Sequence, residues 1–181
     1  MIKVLFVCVH NSARSQMAET FLNDLGQGLF RAESAGIEAG ILNPYVITVM
    51  KELGYDISNN QTHSVFDYFK EGRSYQAVIK VCDQSQAQKC PIFPLTLINE
   101  QWDFPDPSTF VGTDDEILER TRGVRDRVLD KVKHFITEHK DFALKRKDWS
   151  HVSFTDASCH CRKKRWDHWR WKTWTHRQRP T

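Results

Sequence analysis

Ile2-Lys3-Val4-Leu5-Phe6-Val7-Cys8-Val9-His10-Asn11-Ser12-Ala13-Arg14-Ser15-Gln16-Met17-Ala18-Glu19 is the stretch that decides how this chain folds. From Ile2 to Val9 the run is almost continuously apolar and rich in β-branched residues, the composition of a strand buried on both faces of a parallel sheet. Small and polar residues follow at once. A helical pattern then runs from about Ser15 to Leu25, with Met17, Phe21, Leu22 and Leu25 able to face a core and Gly26 and Gly28 marking its end. Strand, tight polar loop and helix open an α/β domain.

Working outward, Phe30 to Ser34 reads as a short second strand, and Pro44 starts a helix whose apolar positions are Val46, Ile47, Val49, Met50 and Leu53, stopped by Gly54. A further helix is expected over Val65 to Lys70, a third strand over Ala77 to Val81 and a fourth over Pro91 to Leu97. Asp103-Phe104-Pro105-Asp106-Pro107 must be a loop, because its prolines restrict the backbone. From about Asp114 to Thr137, Ile117, Leu118, Val124, Val128, Leu129, Val132, Phe135 and Ile136 form a stripe on a charged helix with acidic residues at its start. Alternating strands and helices predict an α/β three-layer sandwich, a small parallel sheet covered on both sides. In such sheets the useful loops lie at the C-terminal ends of the strands. Cys8 and Cys82 stand at two such ends.

Cys8 and Arg14 are separated by five residues, and Ser15 leads directly into the helix. This arrangement wraps the backbone N–H groups of His10, Asn11, Ser12 and Ala13 around a tetrahedral oxyanion, while the helix N-terminus adds positive potential. Arg14 offers a fork of charged donors to two of the anion's oxygens. The same field favours the thiolate form of Cys8, Ser15 can donate to that thiolate, and Asn11 braces the loop. Cys8 is thereby read as a nucleophile directed at arsenate or phosphate.

The segment from Cys8 to Glu19 resembles the active-site segment of arsenate reductases that have the low-molecular-weight tyrosine phosphatase fold. Ser34-Ala35-Gly36, Asn43-Pro44, Cys82-Asp83 and the stretch from Trp102 to Pro107 are similar to the same family, in order and at suitable separations. The likeness covers about three quarters of the chain, Met1 to Phe135. It implies a four-stranded parallel sheet in the order 2-1-3-4, and reduction of arsenate by a relay of thiols. In that relay Cys8 attacks arsenate, Cys82 attacks Cys8 as arsenite departs, and Cys90 takes over the disulfide and presents it to thioredoxin. Seven residues separate Cys82 from Cys90, where the family usually has six. The resemblance also implies Asp106 as general acid, with Asp103 as the nearby fallback, and no tightly bound cofactor. Some thioredoxin-coupled members hold potassium beside the loop. Their pattern carries over to Asn11, Glu19 and Ser34, but His63 stands where an acidic ligand is expected, and the same three residues could instead form a hydrogen-bond network. Glutathione or glutaredoxin could replace thioredoxin as the donor. A low-molecular-weight protein-tyrosine phosphatase is the same-fold alternative, needing Cys8, Arg14 and Asp106 but neither Cys82 nor Cys90.

The remainder of the chain has a different character. Residues 1–137 carry 14 Lys and Arg against 18 Asp and Glu, a net of −4; residues 138–181 carry 12 against 5, a net of +7. The division expected is a catalytic domain over residues 1–139 and a basic, tryptophan-rich extension over 140–181, flexible or partly helical. Arg162 to Trp166 with Trp169, Trp171 and Trp174 suit an anionic surface or nucleic acid, so a noncatalytic anion-sensing or nucleic-acid-binding adapter is the reading from a different class. His151, Cys159, His160, Cys161 and His168 invite a metal. Cys159 and Cys161 are spaced too closely for the usual structural zinc pair and have no second pair, although adjacent soft thiols would suit arsenite. The start is too short and too quickly polar for a signal peptide, and no apolar run approaches membrane-spanning length, so a cytoplasmic protein is expected. Five cysteines without a secretory segment favour nucleophile, redox or metal roles over a disulfide scaffold.

Overall fold

The computed structural model of the protein describes residues 1–82 and 90–149. Strand β1 (Ile2–Cys8) lies inside a four-stranded sheet, parallel to β2 (Phe30–Gly36) on one side and to β3 (Ala77–Lys80) on the other, with β4 (Ile98–Gln101) outside β3. The order is 2-1-3-4, and every pairing is parallel, as the resemblance implied. The interior place of β1 explains its apolar run from Val4 to Cys8. Ile2, Val4, Phe6 and Cys8 face one core cluster while Leu5 and Val7 face another, so from Val4 onward both sides of the strand are buried and only Lys3 is exposed.

Helices α1 (Arg14–Leu25), α2 (Pro44–Glu52) and α4 (Asp114–Trp149) cover the first face, burying Met17, Phe21, Val46, Met50, Val124, Val128, Val132 and Phe135. Helix α3 (Val65–Lys70) covers the second, where Val65 and Tyr68 pack with Tyr75 and Phe93. Local chemistry starts two of these helices. The Asn43 side chain accepts from the N–H groups of Tyr45 and Val46 with Pro44 in the first turn, and Ser64 accepts from Phe66 N–H. Helix α1 is different, because Ala13 at its N-cap supplies no side-chain cap. Its first turn is thus left to whatever lies in the loop before it.

Three boundaries depart from expectation by two residues or more. The fourth strand is Ile98–Gln101, not Pro91 to Leu97. Pro91 and Pro94 lack N–H donors, Leu95 turns into the left-handed region at φ +63°, and pairing resumes only when Leu97 and Ile98 N–H both donate to Gln76 O. The last helix continues past Thr137 to Trp149, since no breaker intervenes and fully buried Ala143 extends the stripe two turns beyond Phe135. The expected division at 139/140 therefore falls inside α4. Strand β2 extends to Gly36, two residues further than expected. The thiols and histidines from His151 to His168, and the tryptophans from Trp166 onward, lie outside the described residues. Among the described residues no helix is long and apolar enough to cross a membrane.

Candidate active site

The loop between β1 and α1 closes on the sulfur of Cys8. Asn11 N–H donates to Cys8 Sγ at 3.0 Å, and Ser15 Oγ lies 2.9 Å from the same sulfur. Asn11 Nδ2 donates to Ser15 Oγ at 2.9 Å, which leaves the Ser15 hydroxyl proton available to the sulfur. Two donors thus converge on Cys8, the arrangement a thiolate needs. To make this turn Asn11 adopts φ +54°, a conformation that asparagine tolerates better than most residues.

A strap fastens the loop from outside. Ile37, Glu38, Gly40 and Asn43 N–H donate to the carbonyls of Cys8, Val9, His10 and Ser12, respectively, at 2.9–3.0 Å. The two backbones approach so closely at Gly36 that a Cβ there would lie 2.7 Å from Asn11 N, so a side chain is excluded. From beneath, Asn11 Oδ1 accepts from His63 N–H at 2.9 Å and from Gln16 Nε2 at 3.3 Å, and Gln16 Oε1 accepts from Asn60 at 2.9 Å. Asn11, Ser12, Ala13, Arg14 and Ser15 are all buried, while His10 is exposed at the rim. Sequence reasoning missed Gln16, Asn60 and the 36–43 strap. Their contacts arise from tertiary packing, although the resembling segments Cys8 to Glu19, Ser34-Ala35-Gly36 and Asn43-Pro44 include Gln16 and the two ends of the strap.

Arg14 is only 3 % exposed, yet its Nε has no hydrogen-bond partner among the described residues. Its Nη1 donates to Phe104 O at 3.1 Å and its Nη2 to Asp106 Oδ2 at 2.5 Å. A buried cationic N–H without an acceptor is costly, and a tetrahedral anion beside Cys8 would satisfy it. Asp106 also caps the short 3₁₀ turn Pro107–Thr109 by accepting from Ser108 N–H at 3.0 Å, which aims its other oxygen at Arg14. Asp103 is exposed and is not the carboxylate on Arg14.

Cys82 and Cys90 are also buried thiols. Val7 pairs with Lys80 and Val81 N–H donates to Val7 O, which sets Cys82 just past the end of β3, beside the end of β1. The Gln101 side chain donates to Cys82 O. Cys90 belongs to the second core cluster, with Val7, Tyr75 and Phe93, whereas Cys8 belongs to the first. Burial pushes the Cys90 thiol above its ordinary value, with Lys80 pulling it part of the way back.

Asn11, Glu19 and Ser34 are joined by hydrogen bonds. Asn11 turns its amide nitrogen towards Ser34, donating at 2.8 Å, and Ser34 Oγ in turn donates to Glu19 Oε2 at 2.5 Å. Burial is the main cause of a Glu19 value pushed up to about 7; the Ser34 hydrogen bonds oppose it and Glu33 adds to it. The set is a closed hydrogen-bond chain running from Glu19 through Ser34, Asn11 and Ser15 to Cys8.

Comparison with known proteins agrees with this geometry. The model of the family described as low molecular weight phosphotyrosine protein phosphatase matches residues 3–147. An arsenate reductase of Bacillus subtilis (strain 168) is 38% identical over 132 residues, spanning 73% of this chain and 93% of that protein. A glutaredoxin arsenate reductase of Synechocystis sp. is 37% identical over 138 residues, 76% of this chain and 98% of the other. Among solved structures, an arsenate reductase in the phosphate binding state superposes with a TM-score of 0.61 at 34% identity, covering 76% of this chain and 98% of its own.

Proposed function

Because the chain belongs to the low molecular weight phosphotyrosine protein phosphatase family, we propose that it is an arsenate reductase working by a thiol relay. The observation that carries this reading is a finished oxyanion cradle around Cys8 together with two further buried thiols, Cys82 at the end of the neighbouring strand and Cys90 beyond it. Hydrolysis of a phosphate ester would use the cradle and leave Cys82 and Cys90 without a task.

In the proposed sequence arsenate enters the loop, takes the orphan Nε of Arg14 and displaces Asp106 from the guanidinium. Cys8 Sγ attacks arsenic, and one oxygen leaves as water with a proton from Asp106. Cys82 then attacks Cys8 Sγ. The Cys8 to arsenic bond breaks, its electron pair stays on arsenic as arsenic goes from +5 to +3, and arsenite leaves behind a Cys8 to Cys82 disulfide. Cys90 attacks Cys82 and frees Cys8. An external dithiol reduces the Cys82 to Cys90 disulfide; we infer thioredoxin, with glutaredoxin the competing donor because one relative is a glutaredoxin arsenate reductase. We assign this chemistry to the α/β domain, and an accessory role to the basic extension.

The test is NADPH consumption in the presence of arsenate and either thioredoxin with its reductase or glutaredoxin with glutathione and its reductase. Cys8→Ser should be inactive. Cys90→Ser should release at most one arsenite per chain and accumulate the Cys8 to Cys82 disulfide, while Cys82→Ser should release none. Turnover that survives in both the Cys82→Ser and Cys90→Ser variants would sink the relay. The cradle and Asp106 also suffice for a phosphatase, and aryl phosphate hydrolysis without arsenate reduction would assign that activity instead.

A further inference from the structure

A second group of ligating side chains lies between the sheet edge and the last helix, outside the oxyanion loop. Glu100 on β4, with Glu138 and His139 on α4, brings one ligand atom each into a common space, all within 4.8 Å of one another. His139 Nε2 lies 3.2 Å from Glu100 Oε1. Two donors held about 2.1 Å from a tetrahedral ion stand roughly 3.4 Å apart, so this pair needs little adjustment to share one.

The donors are held in place by their neighbours. Trp102 Nε1 donates to Glu100 Oε2 at 2.7 Å, which leaves Oε1 turned to the imidazole. The His139 ring packs on Phe135 with centroids 4.5 Å apart. A hydrogen bond to the far oxygen of a carboxylate is the outer support that metal-ligating carboxylates use.

We propose that Glu100, Glu138 and His139 bind a divalent transition-metal ion of the zinc type. Imidazole with carboxylate is a donor set suited to such ions, whereas calcium and magnesium prefer oxygen alone. Two carboxylates balance the dication. The ion ties β4, a four-residue strand at the sheet edge, to α4. Because Glu100 lies two residues before Trp102, the tie sits at the root of the segment that leads to Asp106.

The experiment uses the full chain, stripped with a chelator and titrated with cobalt(II) as a spectroscopic substitute for zinc. The cysteines of this chain can also take the metal, but sulfur ligation adds an intense charge-transfer band that nitrogen and oxygen ligands do not. One equivalent with weak ligand-field bands and no sulfur band is expected, bound about ten-fold or more less tightly in His139→Asn and in Glu100→Gln. Cobalt should raise the melting temperature of the wild type and not of these variants. Cobalt bound only through sulfur, or bound equally well by the variants, overturns the site. If His139→Asn fails to fold, exposed Glu138→Gln takes its place, and undiminished binding there overturns it equally.

Discussion

Cys8 and Cys90 are both buried thiols, yet the protein holds them by opposite means. Cys8 sits in a shell of donors: Asn11 N–H, the Ser15 hydroxyl, and a buried Arg14 whose Nε lacks an acceptor among the described residues. Cys90 sits among Leu5, Val7, Val65, Tyr68, Tyr75 and Phe93 on the other face of the sheet, its thiol making a 3.5 Å contact to Pro91 O among the described residues. Polar contacts hold a nucleophile ready for charge, whereas apolar packing keeps a thiol protonated and inert. On the proposed relay, the first step finds its machinery already assembled, and the third requires Cys90 to leave its packing.

The strongest break of this contrast is at Arg14. Arg14→Ala removes the cation from the cradle and should lower kcat/KM for arsenate by about a thousand-fold, the scale seen when an oxyanion donor is deleted. Labelling of Cys90 by a thiol reagent should stay unchanged. If Arg14→Ala speeds that labelling as well, the two regions are not independent and the contrast fails.

The converse break is Phe93→Ala. Phe93 is 4 % exposed and packs edge-on against Tyr75 and Phe69, so its truncation should cost about 3–4 kcal/mol in denaturant unfolding. Cys90 should then label faster in the folded state. Phosphate affinity at Cys8 should hold, because no contact of the cradle passes through Phe93.

Much of the cradle was legible in the sequence, and little of the Cys90 region was. The Cys8 loop is a local device: a strand, a five-residue spacing and a helix start all lie within Ile2 to Arg14, so its chemistry can be read from spacing. The last two strands behaved otherwise. Pro91 to Leu97 looks apolar enough for a strand, but Ile92, Leu95 and Leu97 point outward while Phe93 alone reaches the core. A backbone reversal at Leu95 produces that pattern, and periodicity cannot reveal it. The support under Asn11 was hidden for a third reason. Gln16 comes from α1, Asn60 and His63 from the loop before α3, and their polar atoms meet only after the sheet has formed.

Glu19 offers a subtler probe of the polar side. Its ordinary value of 4.5 rises to about 7 on folding, mainly through burial. Below pH 4.5 folded and unfolded chains both hold the proton. Between 4.5 and 7 the unfolded chain releases it while the folded chain retains it, so stability falls as pH rises, by roughly 3 kcal/mol once both are ionised. Glu19→Gln should therefore flatten the stability profile over that window and melt higher than wild type at pH 8. A wild-type profile already flat between pH 5 and 8 would remove burial of Glu19 as a cost to the fold.

The smallest expected effect concerns the one unusual backbone feature that both regions share. Each places a non-glycine residue in the left-handed region, Asn11 at φ +54° and Leu95 at φ +63°. In the cradle the residue type suits the conformation, and the Asn11 side chain is fully used by His63, Gln16, Ser15 and Ser34. Leucine has no local hydrogen bond to offset its steric cost, and Leu95 is 81 % exposed, so its side chain gains little from packing. Leu95→Asn should then stabilise the protein by up to about 1 kcal/mol, read as a small rise in denaturation midpoint at unchanged slope. Asn11→Leu should do the reverse and also impair anion binding. Were Leu95→Asn to destabilise instead, Leu95 would be packed against something that its exposure does not reveal, and the Cys90 side would be as fully engaged as the cradle.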